Sequence, residues 1–86
     1  MEHELTEEER KILARLYESR YGMFANEDVP VSLRLIAMFL GTTEDNATGI
    51  LSRLEGAGLI RRILVGDRYF FQITDKGAEE FEYAHG

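Results

Sequence analysis

The sequence predicts a small α+β domain, mostly α, and three observations carry that prediction. Residues 31–60, VSLRLIAMFLGTTEDNATGILSRLEGAGLI, hold two helical periodicities separated by Gly41-Thr42-Thr43. The second periodicity stops at Gly58 and passes at once into apolar, strand-like residues. A two-residue turn at Gly66-Asp67 then folds that strand back on itself. Helix, tight turn, helix and hairpin follow one another in that order, and the remaining residues read as their support.

Thr6 and Glu9 stand at capping-box spacing and start a first helix. Ile12, Leu13, Leu16, Tyr17 and Tyr21 recur along it as one stripe, and Gly22 ends it as a left-handed cap, with Met23 or Phe24 folding back on the last turn. Ala25 to Asp28 read as a surface loop. Val29-Pro30-Val31 is extended and, lacking one amide, suits a short edge strand. Ser32 caps a second helix whose Leu33, Leu35, Ile36, Phe39 and Leu40 predict the buried centre of the domain. Gly41 makes the turn, Thr43 caps a third helix, and Glu44 and Asp45 in its first turn compensate the helix dipole. Ala47, Ile50, Leu51 and Leu54 are its apolar stripe. Leu59–Val65 and Arg68–Ile73 form the hairpin. Thr74 caps a last helix with Ala78 and Phe81 inward and Asp75, Glu79, Glu80 and Glu82 outward. The whole chain, residues 1–86, is expected to be one winged helix-turn-helix domain with frayed ends at 1–5 and 84–86.

Composition narrows the function classes. The 86 residues include no cysteine, so neither disulfides nor thiolate metal sites staple the fold, and apolar packing must hold it. No apolar run approaches the roughly 20 residues of a membrane span, and the acidic start MEHELTEEE is unlike a signal peptide, so a cytoplasmic protein is expected. Net charge is −6, but residues 1–9 hold five acids and no Lys or Arg, and residues 75–86 hold four acids and one Lys. The middle, residues 10–74, has nine bases and seven acids and is weakly basic.

Catalysis and metal binding find no support. His3 and His85 sit near the two ends, and Asn46, Ser52 and Thr48 have no base near them in sequence. The acids of residues 2–9 lack metal-ligand spacing, and Gly56, Gly58 and Gly66 make caps and turns, so no cofactor or metal is expected and the protein is read as a non-enzyme.

A two-residue turn sets the hairpin register. Val65 pairs with Arg68, Ile63 with Phe70 and Arg61 with Gln72 on one face; Leu64 with Tyr69, Arg62 with Phe71 and Ile60 with Ile73 lie on the other. Ile60, Leu64, Phe71 and Ile73 are the expected inward set, leaving Ile63, Val65 and Phe70 outward. Either the terminal helices, a loop or a bulge takes care of that cluster, or it meets a partner.

Three local signatures carry a family resemblance over residues 31–81: the Gly41-Thr42-Thr43 turn, Arg53-Leu54-Glu55-Gly56-Ala57-Gly58-Leu59-Ile60 at the end of the third helix, and Tyr69-Phe70-Phe71-Gln72-Ile73-Thr74-Asp75-Lys76-Gly77 from strand into helix. Together they resemble the winged helix-turn-helix of multiple-antibiotic-resistance-type transcription regulators. The resemblance implies that Glu44, Asp45, Asn46, Thr48, Gly49, Ser52 and Arg53 face the major groove of double-stranded DNA. Asn46 would pair with adenine, Arg53 would contact bases, Thr48 and Ser52 are further candidates, and Arg34, Arg61, Arg62 and Arg68 would meet phosphates. It also implies a homodimer through the terminal helices, with Tyr17, Tyr21, Phe81 and Tyr83 as the residues to inspect. One departure stands out: two acids lead the third helix where such regulators usually present Ser, Thr, Arg or Gln. A winged helix used as a protein–protein interaction module is therefore the alternative, with Glu44 and Asp45 or the outer hairpin residues Ile63, Val65 and Phe70 meeting a partner protein.

Overall fold

The structure, a computed structural model, describes residues 5–21 and 30–85. Its elements are α1 (Glu7–Tyr21), β1 (Val31–Ser32), α2 (Leu33–Leu40), α3 (Glu44–Gly56), β2 (Ile60–Val65), β3 (Arg68–Ile73) and α4 (Asp75–His85). This is the predicted winged helix-turn-helix order. The expectations at Gly22, Met23, Phe24, Ala25 to Asp28 and Val29 lie outside the described residues.

Local chemistry sets each boundary. The capping box closes as its spacing requires: Glu9 Oε1 accepts from the Thr6 amide at 2.9 Å and Thr6 Oγ1 from the Glu9 amide at 3.1 Å. Ser32 caps α2 by accepting from the Leu35 amide at 3.2 Å. Gly41, at φ 69°, ends α2 in the left-handed region, where its own amide and that of Thr42 return to the carbonyls of Met38 and Ala37. Thr43 Oγ1 then accepts from the Asn46 amide at 3.1 Å, and α3 begins.

The sheet is antiparallel in the order β1-β3-β2, so β1 is an edge strand, as Pro30 beside it demands. All six pairs of the β2–β3 hairpin, from Ile60 with Ile73 to Val65 with Arg68, match the register that the turn dictates. The core lies between the helices and one face of this sheet. It is built from Ile12, Leu13 and Leu16 of α1, Ile36 and Ala37 of α2, Ala47, Ile50, Leu51 and Leu54 of α3, and Ile60, Phe71 and Ile73 of the sheet.

Two apolar expectations need correction. Leu64 is 59% exposed rather than inward. At about 3.3 Å per residue, four residues beyond Ile60 carry it past the end of the helices, and its partner Tyr69 is exposed as well. Nor is α2 the buried centre: only Ile36 and Ala37 of its apolar residues are buried, while Leu35, Met38 and Phe39 are each at least half exposed. A helix of eight residues between α1, α3 and the sheet has one inward face, and the remaining apolar side chains have nowhere inside to go.

The end of α3, both ends of the hairpin and the start of α4 meet at one junction. The amides of Gly58 and Leu59 close α3 onto the carbonyls of Glu55 and Leu54, with Gly58 at φ 78°. The Thr74 amide donates to the Leu59 carbonyl at 3.0 Å; its hydroxyl donates to the Gly58 carbonyl at 2.6 Å and accepts from the Gly77 amide at 3.0 Å. Gly77 is held so close that a Cβ there would sit 1.9 Å from the Leu59 carbonyl oxygen and 2.8 Å from Ile73 Cγ1. Gly49, in the middle of α3, has no such neighbour within 4 Å.

Gly77→Ala is therefore expected to destabilise the domain by about 3 kcal/mol, the upper end of the usual overpacking range, because backbone rather than a flexible side chain must yield. Gly49→Ala is expected to stabilise it by roughly 0.5–1 kcal/mol through helix propensity. Urea unfolding of both variants beside the wild type measures the pair, and equal midpoints for the two would contradict the close approach at Gly77.

Candidate nucleic-acid interface

With Ala47, Ile50, Leu51 and Leu54 of α3 turned inward, a spacing of 100° per residue puts Asp45, Gly49, Ser52 and Gly56 on the opposite side. All four are exposed. Asn46 and Arg53, seven residues apart, share one flank of that side, and Thr48 lies on the other. The turn holds this surface in place by backbone capping at Gly41 and by the Thr43 hydroxyl at the start of α3, while the apolar stripe of α3 packs into the core.

The predicted side chains differ in how far they are committed. Asn46 Nδ2 donates to Thr42 Oγ1 at 2.9 Å, and the Thr48 hydroxyl donates back to the Glu44 carbonyl at 2.8 Å. Asn46 is tied to the Thr42 side chain and Thr48 to the backbone of its own helix, and both would have to exchange those bonds for a base. Ser52 is exposed. The Arg53 side chain is 60% exposed, with Nε 4.0 Å from Glu9 Oε2. Glu44 and Asp45 are exposed at the N-terminus of α3, where the dipole accommodates their charge.

On the hairpin, Arg61 Nε donates to Gln72 Oε1 at 3.0 Å, and Gln72 is buried. Arg62 Nε lies 3.5 Å from Glu55 Oε2 on α3, and its guanidinium sits 5.1 Å from the centre of the Tyr69 ring. Arg68, at the start of β3, and Arg34, in the first turn of α2, are exposed. The structure thus sets the two arginines on different flanks of α3, Arg53 toward Glu9 of α1 and Arg62 beside Glu55, while Arg61 is held to the strand opposite it.

The residues expected at a partner interface divide in two. Ile63 and Phe70 oppose each other across the hairpin and are half-buried, while Val65 beside them is 58% exposed. Phe81 is part of the core. The Tyr17 ring packs 4.8 Å from both Phe81 and Tyr21, and its hydroxyl donates to Glu82 of α4. Tyr17 and Phe81 thus join α1 to α4 within one subunit, leaving Tyr21 and Tyr83 as the exposed aromatics of the terminal helices. The bond to Glu82 raises the Tyr17 pKa, and desolvation and the Glu82 charge add to it.

Three features escaped the sequence. Glu9, expected only as a member of the capping box, is buried to 1% exposure. Its position three and four residues before Ile12 and Leu13 already put it on the buried stripe. Arg20 reaches the Ile73 carbonyl at 3.3 Å and Asp75 at 2.7 Å, and Lys76 Nζ donates to the Ala57 carbonyl at 3.0 Å. These long-range bonds leave no local signature. Among the described residues no cluster of His, Asp or Glu is arranged to hold a metal, and no helix is long and apolar enough to cross a membrane.

The domain is a winged helix-turn-helix, similar to multiple-antibiotic-resistance-type transcription regulators. No protein-family model matches the sequence, and no curated protein does. Among solved structures, the transcriptional regulator Tm0710 from Thermotoga maritima is 29% identical, with a TM-score of 0.69 over 91% of this chain and 49% of that one. The MepR–DNA complex of S. aureus is 23% identical, with a TM-score of 0.78 over 94% of this chain and 62% of that one. The regulator BldR from Sulfolobus solfataricus is 25% identical, with a TM-score of 0.76 over 94% of this chain and 53% of that one. The chain thus spans between 49% and 62% of the length of these regulators.

The Tyr17–Glu82 bond has a pH signature. A phenol whose pKa is raised on folding contributes stability that is fully present below the ordinary value of 10.0 and is lost as pH climbs through the raised value. The stability difference between wild type and Tyr17→Phe should accordingly be constant from neutral pH to about pH 9 and shrink above about pH 10. Urea unfolding across that range reads it directly; a difference independent of pH would mean that the hydroxyl is not held by Glu82.

Proposed function

We propose that this chain is a DNA-binding transcriptional regulator that docks α3 in the major groove and braces the β2–β3 wing on the backbone, acting as a homodimer. The observation that carries the proposal is the shape itself: 94% of the chain overlays a regulator whose structure is a complex with DNA. The likeness to Tm0710, also a transcriptional regulator, is in keeping with it. No catalytic step belongs to this proposal.

The contacts follow from the arrangement of side chains. Arg53 is the base-contacting donor of α3, with Ser52 beside it. Asn46 and Thr48 join them by exchanging their local bonds for base edges. Arg34 and Arg68 are exposed cations that meet phosphates, and Arg61 and Arg62 on the wing add to the positive field. Glu44 and Asp45 oppose phosphate approach, so they favour a register in which the C-terminal half of α3 lies deepest, or one in which a carboxylate accepts from a cytosine amino group.

Fluorescence anisotropy with a generic duplex across a salt series tests the proposal. Binding at low salt with log K falling linearly in log salt is expected. Arg68→Ala should weaken binding to all duplexes alike and lower the slope by about one, whereas Arg53→Ala should cost about tenfold or more on a preferred sequence. Absence of binding even at low salt would refute the proposal.

A protein-facing role is the second reading, and one observation favours it. Leu35, Met38 and Phe39 expose an apolar face on α2, and Val65 adds exposed apolar surface on the hairpin. Were such a surface used, Met38→Asp or Phe70→Asp would disrupt a complex or dimer while leaving the fold intact. Sedimentation of the variants beside the wild type separates the alternatives: identical oligomeric states throughout would exclude both residues from the dimer contact.

A further inference from the structure

We infer that Glu9, in the first turn of α1, is a positioning residue that orients Arg53 of α3 toward guanine in the major groove. The inference rests on the DNA-binding proposal above. The carboxylate of Glu9 is an unusual anchor because it cannot move: it is 1% exposed and accepts from the Thr6 amide at 2.9 Å as part of the capping box. The positive end of α1 compensates its charge from the same side. Across the interhelical gap, Arg53 presents Nε to Glu9 Oε2 at 4.0 Å, while the arginine side chain remains 60% exposed.

This geometry divides the guanidinium. With Nε facing the buried anion, the two terminal nitrogens are left to make the bidentate contact that guanine O6 and N7 accept. Arginine is costly to order on binding because its side chain has many rotamers, and a fixed counter-charge lowers that cost in advance. Asn46, seven residues earlier on the same flank, is likewise held in place, by Thr42. On that flank Arg53 is therefore arranged before the duplex arrives, whereas Asn46 must first exchange its bond to Thr42. The predicted recognition is of guanine opposite the C-terminal half of α3, and Glu9 acts on it without touching DNA.

A double-mutant cycle tests this. Wild-type protein is used to select bound duplexes from a pool with a randomised core, and affinities for one selected and one scrambled duplex are measured for wild type, Glu9→Gln, Arg53→Ala and the double variant. Glutamine keeps the capping box while removing the charge. Glu9→Gln is expected to lose about three- to fivefold on the selected duplex, the reach of a half-exposed ion pair, and nothing on the scrambled one. The double variant should bind no more weakly than Arg53→Ala alone. Arg53→Lys, which keeps the charge but not the fork, should retain affinity for the scrambled duplex and lose preference for guanine.

A Glu9→Gln loss of equal size on both duplexes would overturn the inference. So would a loss that persists in the Arg53→Ala background, since either places the effect in the scaffold. Selected duplexes that Glu9→Gln binds like the wild type would leave DNA binding standing and remove only the role of Glu9. A pool from which nothing is enriched would refute DNA binding itself, and the inference with it.

Discussion

The geometry of the wing depends on the backbone junction at Gly58, Leu59, Thr74 and Gly77. Four elements converge there, and convergence buries peptide groups that must find partners. Leu59 supplies the carbonyl that the Thr74 amide needs, and the Thr74 hydroxyl bridges the Gly58 carbonyl and the Gly77 amide. One side chain thus satisfies the last turn of α3 and the first turn of α4 together. The arrangement tolerates no Cβ at position 77, because the Leu59 carbonyl occupies that space. As a result the hairpin leaves α3 in one direction only, and the wing arginines keep a fixed relation to the exposed side of α3.

That fixed relation is what turns a net-acidic chain into a candidate DNA reader. The charge of −6 is concentrated toward the ends of the sequence, whereas Arg34, Arg53, Arg62 and Arg68 project from α2, α3 and the hairpin. Two of these cations are already partnered by carboxylates: Arg62 by Glu55, and Arg53 at longer range by Glu9. The solvent-facing Arg62–Glu55 pair contributes little to stability, at most about 1 kcal/mol, because solvent screens it and ordering two long side chains costs entropy. Its consequence is conformational. A guanidinium that is held before binding has fewer states to lose when a phosphate or base replaces water.

Much of the fold was legible because its signals are local. The capping box at Thr6 and Glu9, the caps at Ser32 and Thr43, the left-handed glycines 41 and 58 and the two-residue hairpin turn each act within a few residues, so spacing alone located them. The strand register followed from the turn for the same reason. What spacing could not supply was the extent of the core. Ile60 and Leu64 stand on the same face of β2, yet one is 2% exposed and the other 59%, and only the length of the helices beneath decides where along the strand burial ends. For the candidate site, the sequence identified the exposed residues of α3 but not their bonds. The ties from Asn46 to Thr42 and from Thr48 to Glu44 compete with base contacts, and the Glu9–Arg53 approach joins elements more than forty residues apart.

The apolar composition of α2 illustrates the same limit from the other direction. Leu33, Leu35, Ile36, Met38, Phe39 and Leu40 are more apolar side chains than one face of an eight-residue helix can bury, so hydrophobicity alone overstates its depth. The arc that does turn inward is set by its two neighbours: the Gly41 turn brings α3 against one side, and β1 leads into α2 from the sheet. Ile36 and Ala37 fall within that arc, while Leu35, Met38 and Phe39 fall outside it. Exposed apolar area of this size on a short helix is unfavourable in water and contributes nothing to the monomer, at roughly 25 cal/mol for each Å² left wet. The helix is retained in the fold by its Ser32 and Gly41 caps, by Ile36 and Ala37, and by Leu33 and Leu40 packed at the edge of the core, not by Leu35, Met38 and Phe39. Stability and surface chemistry are therefore separable in α2, and a change at Leu35, Met38 or Phe39 alters what the surface meets without removing what holds the helix.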